Sequence, residues 1–344
     1  MKLMQTMAGA RHGGAEVFFT RLAGAFARRG VEQTVVIRPE PTRETVLAGE
    51  GATIETLPFG GYFDFATARG LRRLIETRQP DIVLSWMNRA TRATRRARRG
   101  CSAPFIHVAR LGGYYDIAYY ADCDHLIGNT SDIVDYLVRE GWPETRVHYL
   151  PNFIDATALP AIPRDTFDTP DDATLIVAMG RLHENKGFDV LLQALAGLPG
   201  HILWLAGEGP LRGALENQVD ADGIARRVHF LGWRDDIAAL LAAADVFVCA
   251  SRIEPLGNVV IEAWAHGVPV VSSAAEGPSQ LIDHDHNGLL VPKEDSSALA
   301  AAIRRASEPN LAKALTVAGL ASYEATFTED AVVARYLEFL ERVA

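Results

Sequence analysis

The chain has 344 residues, of which 48% are hydrophobic and 22% charged. That balance excludes a disordered or fibrous chain, and at ~100–200 residues per domain the length predicts two domains. A formal net charge of −9 excludes nucleic-acid binding through a basic body.

The N-terminal Met1-Lys2-Leu3-Met4-Gln5-Thr6-Met7 has too short an apolar stretch for a signal peptide and reads as a first strand. Short apolar runs then recur at 34–37, 82–86, 105–109, 126–128, 175–179, 202–206, 228–231, 246–249 and 268–271. They are too short for helices and many are rich in Val and Ile. Helical patterns lie between them at 15–29, 70–78, 132–140, 188–196, 236–244 and 259–266. Such alternation predicts βαβ units, hence parallel sheets with helices on both faces and ligands outside the carboxyl ends of the strands. A Pro-, Asp- and Thr-rich stretch at 151–170 reads as a linker. The boundaries drawn are 1–155 and 156–327, with a last helix at 328–344 that packs back on the first domain. Cys101, Cys123 and Cys249 form no CxxC pair and read as small buried hydrophobes. No apolar run reaches the ~18 residues of a membrane span; the best, 237–250, is broken by Asp245. The expected location is the cytoplasm, with any membrane contact peripheral.

Three strand-to-helix turns carry candidate chemistry. The first, Ala8-Gly9-Ala10-Arg11-His12-Gly13-Gly14-Ala15-Glu16, lets backbone approach a ligand and presents helix N–H groups to an anion. In the second, Met179-Gly180-Arg181-Leu182-His183-Glu184-Asn185-Lys186-Gly187, one of the four lysines of the chain follows an arginine by five residues. Two cations beside a helix start suit a diphosphate. The third, Ser251-Arg252-Ile253-Glu254-Pro255-Leu256-Gly257-Asn258-Val259-Val260-Ile261-Glu262, places one carboxylate in a loop and another about one turn into a helix, with open amides at Gly257 and Asn258 between them. Carboxylates accept bonds from sugar and ribose hydroxyls, and the cations of the second turn offset their repulsion of a pyrophosphate. The combination fits a sugar nucleotide.

Taken in order, Gly13-Gly14-Ala15-Glu16, Asn152-Phe153-Ile154-Asp155, Gly180-Arg181-Leu182 with Lys186-Gly187, the Glu254/Glu262 pair spaced E-x7-E, and Asn287-Gly288-Leu289-Leu290-Val291 resemble the family 4 retaining glycosyltransferases over nearly the whole chain. Phe153 stands where many members have glycine, and Gln280 where glutamate is common. The resemblance implies the GT-B architecture, α/β with two Rossmann-like doubly wound domains facing across a cleft, and closure of the domains about the linker. It also implies roles. Arg181 and Lys186 would hold the donor diphosphate, Glu254 the transferred sugar and Glu262 the ribose. Gly180, Leu256, Gly257 and Asn258 would supply backbone contacts, Trp233 would stand at the base, and Gly13 and Gly14 would close over the phosphates. The leaving phosphate would help deprotonate the acceptor, leaving the protein to position groups and stabilise charge. A further residue is expected near the reacting sugar, from Phe105-Ile106-His107-Val108-Ala109-Arg110. His107 has the chemistry but lies mid-strand; Arg110 is nearer the carboxyl end. Both stay open, with position favouring Arg110.

The activity implied is transfer of one sugar from a nucleotide-diphosphate sugar, with UDP as first guess, to a glycan or glycolipid of the lipopolysaccharide-core or surface-polysaccharide type. The alternatives are a nucleotide-sugar epimerase or hydrolase on the same fold, and a non-catalytic binder. Asp122-Cys123-Asp124 and Asp283-His284-Asp285-His286 read as surface turns, so no metal and no cofactor are expected. On the acceptor side, Asn88 follows a strand, and Tyr114 begins a tyrosine-rich stretch that offers ring stacking. On a helical wheel Arg89, Arg92, Arg95, Arg96, Arg98 and Arg99 fill one half, while Ala90, Ala93 and Ala97 cluster within ~60° on the other. That stripe is expected to face outward, toward an anionic membrane surface.

Overall fold

A computed structural model of the chain describes every residue except Arg11, His12 and Tyr62. The alternation read from the sequence appears in it as two sheets whose strand pairs are all parallel. The chain divides into two compact units, Met1–Phe153 with Glu329–Ala344, and Ile154–Thr328.

The first unit contains β1 (Leu3–Met7), β2 (Gln33–Ile37), β3 (Thr53–Thr56), β4 (Ile82–Trp86), β5 (Ile106–Leu111), β6 (His125–Gly128) and β7 (Val147–Tyr149). They lie in the order β3-β2-β1-β4-β5-β6-β7. The crossovers use α1 (Gly14–Arg28), α2 (Pro41–Gly49), α3 (Phe65–Arg78), α4 (Met87–Arg98) and α5 (Ser131–Arg139). β1, β2 and β4 are buried along their whole length, because helices cover both faces. The two buried glutamines among them are paired. Trp86 Nε1 donates to Gln5 Oε1 at 3.1 Å, Gln5 Nε2 to Gln33 Oε1 at 2.9 Å, and Gln33 Nε2 to the Ala23 carbonyl at 2.6 Å, so burying them carries little penalty.

The second unit contains β8 (Thr174–Met179), β9 (His201–Ala206), β10 (Val228–Gly232), β11 (Val246–Cys249), β12 (Val270–Ser273) and β13 (Leu289–Val291), in the order β10-β9-β8-β11-β12-β13. Its helices are α6 (Phe188–Ala196), α7 (Arg212–Ala221), α8 (Ile237–Ala243), α9 (Asn258–Ala265), α10 (Glu276–Leu281), α11 (Ser296–Ala306) and α12 (Pro309–Thr326). Between β7 and β8 the chain has no regular structure beyond one short turn, Arg164–Phe167. The last helix, α13 (Glu329–Val343), belongs to the first unit. Val332, Val333, Tyr336, Phe339 and Leu340 join the core formed with Phe18 and Phe26 of α1, and each large side chain so buried contributes about 1.5–3 kcal/mol.

Two strands shift by two residues at an end relative to the sequence reading. The run at 105–109 becomes Ile106–Leu111, which puts Arg110 inside a strand. The run at 268–271 becomes Val270–Ser273. In each sheet the strand order reverses once, between β1 and β4 and between β8 and β11. Crevices at such reversals are where open parallel sheets bind ligands.

Candidate active site

In the second unit the reversal point gathers the two most distinctive motifs. Lys186 ends a short turn, Glu184–Lys186, between β8 and α6. Its Nζ donates to Glu254 Oε2 at 2.5 Å, joining the loops after β8 and β11 across 68 residues of sequence. Glu254 is 8% exposed. Its carbonyl accepts the Gly277 N–H at 2.7 Å. The lysine stem lies over the backbone of Gly180, where a Cβ would stand 3.2 Å from Lys186 Cε. Gly187 (φ 60°) is needed for the close approach of the two loops: a Cβ there would lie 2.1 Å from the Ala250 carbonyl oxygen.

Arg252 fastens this arrangement. Its N–H donates to the Asn185 carbonyl at 2.8 Å and its Nη1 to the Glu184 carbonyl at 2.8 Å. The guanidinium also binds Asp189 through two 2.7 Å bonds and pairs with Glu294. The bonds from Arg252 outweigh burial and hold the Asp189 carboxyl below its ordinary pKa. Arg181 is exposed just past β8, and Glu262 is half-buried on α9. Gly257, with φ 67°, heads α9, and Leu256 and Asn258 on either side of it are half-buried. Trp233, 81% exposed, follows the end of β10. All of these stand at the carboxyl ends of strands. Lys186 paired with Glu254, with the exposed Arg181 on the same loop, puts two cations and a carboxylate at these strand ends, the charges that a diphosphate and sugar hydroxyls would require.

In the first unit the reversal point is open. A cavity of about 460 Å³ lies past β1 and β4, with Gly9, Glu16, Arg38, Trp86, Asn88 and Tyr115 among its lining. Glu16 Oε1 accepts the Ala10 N–H at 2.8 Å. Burial raises the Tyr115 pKa, and the negative charge of Glu16 adds to the rise while Arg110 opposes it. Met87, also in the lining, has φ 63°, a left-handed conformation that strains a residue with a side chain. Gly13 and Gly14 open α1 beside the cavity; Arg11 and His12 of that turn lie outside the described residues.

Several expectations for this unit need correction. His107 is fully buried, with Nε2 2.9 Å from Ser85 Oγ and Cys123 Sγ 3.7 Å from Nδ1. Burial is the main reason its pKa falls to about 3. It is a core histidine with no exposed surface and is not in the lining of the cavity past β1 and β4. Arg110 is 2% exposed; it bonds to Tyr336 Oη at 2.9 Å and to Asn152, and stacks over Phe18 and Trp86. It stands behind the lining residue Trp86 and braces α13. Tyr114 bonds to Asp132 and packs edge-on against Tyr136, while Tyr115 and Tyr119 line the cavity. Asn88 is in the lining and accepts from Tyr120.

The arginine stripe does not form one outward face. Arg95 and Arg99 pair with Asp122, and Arg98 with Asp124; Arg96 lies over Phe65. Only Arg89 and Arg92 of the stripe line the cavity. Thr91 and Thr94 share the buried side with Ala90 and Ala97, while Ala93 is half-buried. The two acidic stretches are engaged likewise: Asp122 and Asp124 by those arginines, and Asp285 by Arg305. Among the described residues no group of three or more His, Cys, Asp or Glu is placed to hold a metal, and no helix is long and apolar enough to cross a membrane.

Sequence reasoning missed Arg38, Glu16 as a lining group, and the bracing by Arg252. Arg38 had a usable signal, since it directly follows the apolar run at 34–37. Arg252 had none, because Asp189 and Glu294 lie 63 and 42 residues away from it.

Residues 13–152 match the glycosyl transferase 4-like domain, and residues 173–308 the glycosyl transferases group 1 family. The chain is 34% identical to the lipopolysaccharide core biosynthesis glycosyltransferase LpsE of Rhizobium meliloti (strain 1021), covering 96% of each chain. It is 35% identical to LpsD of the same organism, named for the same process, covering 99% of this chain and 98% of the relative. The crystal structure of Anabaena HepE in complex with UDP superposes with a TM-score of 0.88 at 21% identity, over 99% of this chain and 100% of that one. Two parallel sheets with ligand-competent reversal points, matched end to end in this way, place the chain among the group 1, family 4 retaining glycosyltransferases of GT-B fold.

Proposed function

We propose that this chain transfers a single sugar from a UDP-sugar, with release of UDP, to a glycan of the lipopolysaccharide core, with the donor held at the β8/β11 reversal point and the acceptor in the cavity past β1 and β4. The observation that carries the donor half is the Lys186–Glu254 pair, a cation and a carboxylate brought together where a parallel sheet reverses. Its acceptor half draws on the full-length likeness to two enzymes named for lipopolysaccharide core biosynthesis, and its nucleotide on the UDP complex of HepE.

In this reading Arg181 and Lys186 neutralise the diphosphate, Lys186 exchanging Glu254 for phosphate oxygens as the donor enters. Glu254 then accepts bonds from hydroxyls of the transferred sugar and Glu262 from the ribose. Gly180, Leu256, Gly257 and Asn258 offer main chain to the donor, and Trp233 offers a ring face to the base. Gly13 and Gly14 supply N–H groups from the first unit, and Asn88 meets the acceptor. Charge develops on the leaving diphosphate, so fixed cations there act on the transition state. Transfer with retention leaves the leaving phosphate and the incoming hydroxyl on one face of the sugar, and no protein nucleophile is invoked. The enzyme works in the cytoplasm. The membrane contact expected of the arginine stripe is not part of this proposal, because half of those charges are paired within the unit.

The test is incubation with UDP-, GDP- and ADP-sugars and a truncated lipopolysaccharide core. The expected product carries one added sugar in the anomeric configuration of the donor, from UDP-sugars alone. Free sugar or an epimerised donor, with acceptor unchanged, contradicts the proposal.

A further inference from the structure

The first unit's cavity is basic in an acidic protein. The chain carries a net charge of −9, yet the lining holds Arg38, Arg89 and Arg92 against one carboxylate, Glu16. Arg38 and Arg89 are exposed at its rim. The Arg38 N–H is tied to the Met7 carbonyl at 3.1 Å, which anchors that residue at the end of β2. Glu16 lies deeper, 7% exposed, with one carboxylate oxygen already accepting from Ala10.

A second cavity of about 550 Å³ adjoins the first and shares Gly9, Ala10 and Arg38 with it. The acid in its lining, Glu40, is turned to capping α2, where it accepts the Arg43 N–H at 2.7 Å. Arg43 itself is 5% exposed; its Nη2 donates to the carbonyl of Ala10, which lines both cavities, at 2.8 Å. Its Nη1 has no hydrogen-bond partner among the described residues. A buried guanidinium nitrogen left unpaired is costly, and an anion nearby reduces that cost.

We propose that the acceptor carries an anionic group, a phosphate or a carboxylate, held at the rim by Arg38, Arg89 and Arg92, while Glu16 and Tyr115 take hydroxyls of the sugar that bears it. This rests on the reading that puts the acceptor in the first unit. Guanidinium groups suit the task because they bind either oxyanion in bidentate fashion. The separation of acid and base within one cavity then fixes which end of the acceptor points inward.

The test uses the full chain with saturating UDP, titrated by calorimetry with a hexose 6-phosphate, a hexuronate and the corresponding neutral hexose. At least one charged sugar is expected to bind about tenfold or more tightly than the neutral one, with a preference that falls as salt rises; which one it is distinguishes phosphate from carboxylate. In Arg38→Gln and Arg89→Gln the preference shrinks and UDP affinity stays unchanged. Both positions are exposed, so neither substitution threatens the fold. Equal binding of the three sugars, including none detectable, overturns the proposal, as does a preference that survives in both variants. Weakened UDP binding in the variants assigns these arginines to the donor and overturns it too. If the charged sugar is preferred but UDP fails to bind, the donor reading fails and this one stands.

Discussion

The two reversal points share a topology and differ in how they are filled. At β8/β11 the loops touch. Lys186 meets Glu254, Gly187 presses against the end of β11, and Arg252 ties the loops after β8, β11 and β13 together. At β1/β4 the loops stand apart around a cavity of about 460 Å³, and Gly14 has open space where a Cβ would go. A crowded, internally paired site is preorganised for one ligand chemistry; an open one with exposed arginines can be adapted to different acceptors. On the proposed reading, the rigid half would stabilise charge and the roomy half would choose the partner.

The largest effect that sharpens this contrast is at Lys186. On the proposed reading Lys186→Ala removes a cation from the departing diphosphate and is expected to lower kcat by roughly 10²–10³-fold, measured as UDP release at saturating donor and acceptor. A crowded site should also resist added volume. Gly187→Ala, whose methyl meets the Ala250 carbonyl at a positive φ, is expected to cost about 1–3 kcal/mol. Gly14→Ala is expected to stay within about 0.5 kcal/mol of the parent. Chemical denaturation compares the two, and equal losses would break the contrast. Glu262→Ala is next: losing a charged acceptor for ribose hydroxyls costs about 1.5–3 kcal/mol, seen as a raised donor KM with kcat nearly kept.

A smaller effect separates the units by pH. Burial lowers the pKa of His107 to about 3 and of His148 to about 4, and lowers that of His125; in the second unit His229 is lowered in the same way. Below the unfolded value near 6.5 the unfolded chain binds protons that the folded one refuses. The stability these residues confer is therefore complete above pH 6.5 and is lost as pH falls from there toward 4. Thermal scans between pH 7 and 4.5 should show the first unit weakening more, and a His107→Gln variant should reduce that slope. The smallest expected effect is none: excess chelator should leave turnover unchanged, whereas a strict need for magnesium would contradict charge neutralisation by Arg181 and Lys186 alone.

Much of this was legible in the sequence. The runs at 82–86 and 246–249 and the pattern at 188–196 coincide with β4, β11 and α6, because buried strands and amphipathic helices have local signatures. β3 escaped notice, since Thr53-Ile54-Glu55-Thr56 is a half-exposed edge strand with no unbroken apolar run. The Lys186–Glu254 site was readable because its residues follow strand ends, which topology brings together. What Arg95, Arg98, Arg110 and His107 do was not, because it depends on partners far along the chain: Asp122, Asp124, Tyr336 and Ser85. A basic stripe on a wheel carries no record of the acids that will meet it, and a histidine within an apolar run carries no record of whether a strand end or a core receives it.

The most direct test is a crystal structure with a non-hydrolysable UDP-hexose. The account predicts the diphosphate on Arg181 and on Lys186 Nζ, with that lysine released from Glu254, hexose hydroxyls on Glu254 and ribose hydroxyls on Glu262. A donor bound elsewhere, with Lys186 and Glu254 still paired to each other, would contradict it.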